Sequence, residues 1–109
     1  EGAERSAAAA RSLAERLRAY EPPTPEAGAY RDELEWAARL LEVGARLGAA
    51  RCRTPERALH ELDAAANLAE DLDALISRHR ELWLRRSRSG GLERSASVLQ
   101  RVVDALRAG

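Results

Sequence analysis

Two pairs of adjacent carboxylates, Asp32-Glu33 and Glu70-Asp71, are the first candidates for chemistry in this sequence. Paired carboxylates serve as acid, base or nucleophile in glycoside hydrolysis. Both pairs lie in stretches with helical periodicity, where consecutive side chains point about 100° apart and cannot converge on one bond. We therefore expect both pairs to lie on solvated helix faces.

The chain also has two histidines, His60 and His79, and one cysteine, Cys52. The histidines stand about five turns apart on one predicted helix, so they cannot share a metal without a further element. His79 falls on an apolar seam, which favours a hydrogen-bonded core histidine over a ligand. The neighbours of Cys52, Arg51 and Arg53, could activate an exposed thiol. Because nothing else of a thiol enzyme surrounds it, we interpret Cys52 as incidental.

Other catalytic patterns are missing from the sequence. Gly90-Gly91 lacks the preceding strand and the following lysine of a phosphate-binding loop. No serine stands in the strand–turn–helix context of a nucleophile elbow. We predict that the isolated chain is not an enzyme, binds no metal and needs no cofactor.

Length and charge exclude several classes of protein. The 109 residues include 18 arginines, no lysine and 18 carboxylates. A complete barrel or Rossmann enzyme needs about 200 residues or more, and a net charge of zero argues against a nucleic-acid partner. No apolar run approaches the length of a membrane span. Because the chain begins at Glu1 rather than at a methionine, we expect it to be a piece of a longer protein.

Arginines gather around Trp83 near the end of a predicted helix. Tryptophan with several arginines suits an anion, sugar or partner surface. On residue types alone, we favour a simpler interpretation, with Trp83 in the core and the arginines complementing the helix C-terminus. Nucleic-acid binding through this patch is the weakest hypothesis. The arginines are Arg78, Arg80, Arg85, Arg86, Arg88 and Arg94.

Helical periodicity runs through the chain, and no alternating strand pattern appears. Pro22-Pro23, Thr54-Pro55 and Gly90-Gly91 interrupt it. Thr24 and Thr54 are each followed by Pro and Glu, which predicts a capped helix start at both. We predict a single all-α domain over residues 1–109, an antiparallel bundle of four helices with one long central helix. The predicted helices cover about 3–20, 25–50, 55–86 and 92–107.

The second predicted helix is apolar around most of its circumference and should pack on more than one side. Within it, Gly44 and Gly48 could let a neighbouring backbone approach closely. This helix supports one functional hypothesis: a self-contained protein–protein interaction module that dimerises through an apolar face.

The segment from His79 to Leu92 resembles a sequence motif, here called a phrase of residues, near the C-terminus of bacterial family 20 glycoside hydrolases, the β-N-acetylhexosaminidases. That phrase has the form His-Arg-x-Leu-Trp-x-x-Arg-Asn-Arg-Pro-Gly-Gly-Leu, and here Ser87 and Ser89 replace the Asn and the Pro. The stretch from Asp32 to Arg39 resembles the helix that opens the same domain. The matching positions of the phrase are His79, Arg80, Leu82, Trp83, Arg86, Arg88, Gly90, Gly91 and Leu92.

This resemblance implies a non-catalytic C-terminal helical module that packs on a catalytic barrel, mediates dimerisation, or does both. The partner would be the barrel of the same parent chain or a second copy. The catalytic Asp-Glu pair of such enzymes belongs to the barrel, so no catalytic residue carries over. The resemblance marks five candidate binding residues and implies that Trp83, Arg86 and Gly91 cluster at one end of the bundle. The five are Trp83, Arg86, Arg88, Gly90 and Gly91.

Overall fold

The computed structural model describes residues 2–85 and 92–108 and confirms an all-α fold. The chain forms four α-helices, with a short 3₁₀ helix at Leu59–Glu61 before the third. Consecutive helices run antiparallel and pack on one another in chain order. The helices are α1 (Gly2–Ala19), α2 (Pro25–Arg53), α3 (Ala65–Arg85) and α4 (Leu92–Arg107). None of them, within the described residues, is long and apolar enough to cross a bilayer.

The start of α2 follows the predicted capping pattern. Thr24 has extended backbone, and its Oγ1 accepts a hydrogen bond from the backbone N–H of Ala27 at 3.1 Å. Pro25 occupies the first turn, where its missing N–H costs nothing. Glu26 adds a negative charge beside the positive end of the helix dipole.

The predicted start of the third helix at residue 55 is wrong. Thr54 ends α2 instead: its N–H and its hydroxyl both donate to the carbonyl oxygen of Ala50, each at 3.2 Å. The backbone is extended at Ala58 and again at Leu62, so α3 begins only at Ala65. This path buries Leu62 in the core. The long central helix is therefore α2, with 29 residues.

The core lies between α2, α3 and α4, with Leu68 and Val103 completely buried. Helix α1 packs on α2 mainly through small residues, of which Ala7 and Ala14 are buried. The Cα trace measures 47 × 31 × 16 Å. The Cα cylinder of one helix is about 5 Å wide and packed helix axes lie about 8–10 Å apart, so the smallest dimension corresponds to about two helices.

The predicted role of Gly44 and Gly48 in a close backbone approach is not met within the chain. A Cβ atom built on either glycine would meet nothing within 4 Å. Both positions face open space because α1 and α3 pack on other sides of α2.

Candidate functional site at the α2–α3 junction

Three aromatic rings form a stack where α2 meets the C-terminal half of α3. The His79 ring lies nearly parallel to Trp36, with ring centroids 4.9 Å apart, and meets Trp83 edge to face at 5.5 Å. The Nε1–H of Trp36 donates to the carbonyl oxygen of Leu75 at 2.8 Å. His79 is buried, as its place on the apolar seam predicts. The stack fixes α2 against α3 over two turns.

Asp32 lies one turn before Trp36 on α2 and contacts three guanidinium groups. Its carboxylate oxygens lie 2.8 Å from Arg85 Nη1, 2.9 Å from Arg31 Nε and 3.5 Å from Arg78 Nη2. The side chain is only 15% exposed. The hydrogen bond from Arg85 is the main cause that holds the pKa of Asp32 below its ordinary value, and Arg31 and Arg78 add to it against the opposing effect of burial.

The expectation of a solvated face is therefore wrong for Asp32. The last turns of α3 bring Arg78 and Arg85 over this carboxylate, an effect that the sequence around Asp32 does not contain. The other pair behaves as expected, since Glu70 and Asp71 are exposed. Asp71 forms one lateral ion pair with Arg46 at 2.6 Å.

A cleft of about 400 Å³ extends from this junction along α2 between α1 and α3. Its wall carries four arginines and four carboxylates, and the indole of Trp36 forms part of the surface. Neighbouring charges pair across the helices, as in Arg11–Glu42 at 2.7 Å, and along α2, as in Arg39–Glu35 at 3.5 Å. Because positive and negative side chains are equal in number, the wall carries no net charge that would favour ions of one sign. The charged wall residues are Arg18, Arg39, Arg46, Arg78, Asp32, Glu35, Glu42 and Asp71.

Trp83 is partly buried beside His79, but its Nε1–H is enclosed and has no acceptor among the described residues. A buried donor without a partner costs about 1–3 kcal/mol. The other four residues of the predicted binding set, Arg86, Arg88, Gly90 and Gly91, lie outside the described residues. Their clustering with Trp83 stays a prediction.

Arg78 and Arg85 do more than complement the end of α3, because both bind the carboxylate of Asp32. Residue types alone do not single out Asp32 and Trp36 as partners of this segment. The available signal is their spacing of four residues, which puts both on one face of α2.

The described residues contain no group of three or more His, Cys, Asp and Glu side chains suited to holding a metal ion. Cys52 is exposed near the end of α2. His60 is exposed on the 3₁₀ helix, well separated in sequence from the aromatic stack. The structure thus concentrates its unusual contacts at the α2–α3 junction.

His79 predicts a pH-dependent stability. Burial, followed by the positive charge of Arg80, lowers the pKa of His79 below the ordinary 6.5. Below about pH 6.5 the unfolded chain therefore binds a proton that the folded chain does not, so stability falls with decreasing pH until His79 is protonated in the fold. We expect urea unfolding between pH 7.5 and 5 to show this loss, and His79→Gln to reduce the slope.

The matched control for this measurement is His60→Gln, which removes an exposed histidine. It should keep the slope of the parent chain. An unchanged slope in His79→Gln would contradict the assignment to His79. Asp32 does not change the slope in this pH range. Because the pKa of Asp32 is lowered, its effect on the pH dependence of stability is confined to more acidic solutions.

No protein-family model matches this chain, no curated protein matches its sequence, and no solved structure matches its fold. An assignment of function therefore depends on the residues themselves, the geometry of the α2–α3 junction and the resemblance carried by residues 32–39 and 79–92.

Proposed function

We propose that this chain is the non-catalytic C-terminal helical module of a β-N-acetylhexosaminidase-like glycosidase and packs on the catalytic barrel of that enzyme. The observation that supports it best is the meeting of the two stretches that carry the resemblance. Residues 32–39 and 79–92 are far apart in sequence. In the fold, Trp36 stacks on His79, and Arg85 binds Asp32 at 2.8 Å.

The chemistry of the junction favours packing over catalysis. A general acid or base must reach a substrate, but Asp32 is held by three guanidinium groups and His79 lies between two indoles. These groups stiffen the end of the bundle.

Trp83 gives this end an aromatic surface for a partner. Its indole is only partly buried beside His79, so the open part of the ring can pack on another protein. The proposed contact surface is the end of α3 at Trp83, together with Arg86, Arg88, Gly90 and Gly91.

The first test is to read the natural gene upstream of the codon for Glu1. The proposal expects an in-frame barrel domain with an adjacent Asp-Glu pair at the end of one strand. An in-frame stop codon, or a different domain, would contradict it.

The second test uses the parent enzyme with and without residues 1–109, assayed by thermal unfolding and by hydrolysis of an N-acetylglucosaminide. We expect removal of the module to lower the Tm of the barrel by several degrees, as loss of a packed interface does. Trp83→Phe, which shortens the aromatic side chain at this surface, should lower it in part. Val98→Ala, on an exposed position of α4, is the control. An unchanged barrel would contradict a packing role.

Self-association is the second candidate function. It is favoured by the exposed apolar side chains of α2, among them Tyr30, Leu34 and Leu41.

A further inference from the structure

One side of α2 is apolar and open to solvent. Leu41 is 66% exposed, Tyr30 62% and Leu34 56%. Ala37 and Gly44 are exposed on the same side, and half-buried Gly48 completes the row. We call these six residues the α2 stripe: Tyr30, Leu34, Ala37, Leu41, Gly44 and Gly48.

The α2 stripe has the spacing of a helix-pairing seam. Its members follow one another at steps of four and three residues, the pattern by which a helix keeps one row of side chains facing a second helix. No member is charged. Most charged side chains of α2 lie on other sides, where Glu42 meets Arg11 and Asp32 meets Arg85. The stripe is about 27 Å long, and its pattern fits another α-helix.

The order of large and small residues in the stripe fits a second copy of itself. If two α2 helices run antiparallel about a two-fold axis level with Arg39, each large residue faces a small one. Tyr30 then lies opposite Gly48 of the second copy, Leu34 opposite Gly44, and Leu41 opposite Ala37. A two-fold interface requires such self-complementarity.

The two glycines supply the space that this pairing needs. A Cβ atom built on Gly44 or Gly48 meets nothing within 4 Å in the single chain, so both leave open sockets on the surface. Glycine also weakens a helix interior. Inside the monomer nothing offsets that cost, whereas a facing Leu34 and Tyr30 would fill both sockets.

Charge supports the same partner. Beside the stripe, α1 and α2 enclose an apolar groove of about 580 Å³ whose eight lining residues are all uncharged. At the rim of the stripe, Glu33 lies six residues from the two-fold axis, so its two copies are about 18 Å apart along the helices and do not meet. The groove is lined by Ser6, Ala9, Ala10, Leu13, Leu40, Leu41, Gly44 and Ala45.

We propose that two copies of this chain associate through the α2 stripe, antiparallel and in the register that places Gly44 against Leu34. The neighbouring α1 helices flank the pair, with Leu13 extending the apolar contact. This association does not depend on the glycosidase assignment, because it uses the middle of α2 and leaves the Trp83 end of α3 free for a barrel.

Sedimentation equilibrium of the full chain from micromolar to millimolar concentration tests the association. We expect a dimer of twice the 12.0 kDa chain mass. Gly44→Leu adds a side chain whose Cβ meets nothing within 4 Å in the monomer but which fills the socket for Leu34. It should raise the dimer dissociation constant about tenfold or more, the effect of overpacking a closed contact.

The register of the proposed dimer is tested by exchanging the large side chain at position 34 and the small one at position 44. Leu34→Ala combined with Gly44→Leu restores a large residue opposite a small one and should recover dimerisation. Ala105→Leu, an exposed position on α4, controls for added apolar surface and should leave the dissociation constant unchanged. Circular dichroism verifies that each variant is folded.

A wild-type chain that stays monomeric at millimolar concentration would overturn the proposal. So would a Gly44→Leu variant that dimerises like the wild type, or a double variant that stays as weak as the single one. None of these outcomes bears on the barrel, whose test is its own Tm in the presence and absence of the module.

Discussion

Trp36→Ala should lower the free energy of unfolding by about 3 kcal/mol, at the lower end of the range for truncating a large aromatic side chain in a core. Three contacts disappear together: the ring against the core cluster, the stack on His79 and the hydrogen bond to the carbonyl of Leu75. Because Trp36 is only partly buried, the space that it leaves opens in part to water. That is why we expect the lower end of the range.

Trp36→Phe separates the ring from its N–H group. Phenylalanine keeps an aromatic face for His79 but loses the donor to Leu75, so the expected loss is about 1 kcal/mol. Leu84→Ala, at a position 58% exposed on α3, serves as the control and should stay within about 0.5 kcal/mol of the wild type. Urea unfolding monitored by circular dichroism measures all three. If Trp36→Ala were no worse than Trp36→Phe, the stack would not be holding α2 on α3.

Helix boundaries show how far local sequence determines this fold. Thr24-Pro25-Glu26 and Thr54-Pro55-Glu56 carry the same start signal, and only the first begins a helix. The Thr24 hydroxyl accepts a hydrogen bond from the backbone N–H of Ala27, three residues later in the chain. The Thr54 hydroxyl instead donates to the carbonyl oxygen of Ala50, four residues earlier. The difference comes from the next part of the chain, because extended backbone beyond Thr54 lets Leu62 reach the core. A threonine in this sequence context can cap the start of the following helix or the end of the preceding helix, and tertiary packing determines which of the two forms.

The candidate site also has one feature that local sequence predicts and one that depends on distant residues. The burial of His79 follows from its position on an apolar seam, which is a property of one helix. The environment of Asp32 comes from Arg78 and Arg85, more than forty residues away in sequence, and periodicity on α2 cannot supply it. The adjacent carboxylates Asp32-Glu33 and the resemblance of residues 32–39 both draw attention to that stretch, but neither identifies a contact.

The α2 stripe could be predicted only in part from the sequence. The apolar circumference of α2 is visible in sequence and indicates that the helix packs on more than one side. The side that stays open is set only by the fold, because α1 and α3 cover two sides and leave Tyr30, Leu34 and Leu41 exposed. Gly44 and Gly48, predicted as sites where a neighbouring backbone approaches closely, have open space beside them in the single chain and are sockets in the dimer that we propose.

Asp32→Ala should lower the free energy of unfolding by about 2–3 kcal/mol, because it leaves two arginines from α3 and one from α2 without their shared carboxylate. Removing one partner of a fully buried ion pair costs about 3–5 kcal/mol. Here Arg85 is 46% exposed and Arg78 34%, so water replaces part of the lost interaction and the cost is smaller. Asp71→Ala is the matched control. Its side chain is 49% exposed and pairs with Arg46, so a loss under about 1 kcal/mol is expected.

The pH dependence of the same variant separates charge from packing. Because the arginines lower the pKa of Asp32 below 3.8, the unfolded chain binds a proton that the folded chain does not as pH falls past that value. The stabilisation by Asp32 is therefore fully present above about pH 5, and it is lost as pH falls through the lowered pKa. The gap between the wild type and Asp32→Ala should narrow with acid, whereas a gap caused by lost packing would not change. An unchanged gap from pH 7 to pH 2 would thus mean that Asp32 holds α2 and α3 together by shape and not by its charge.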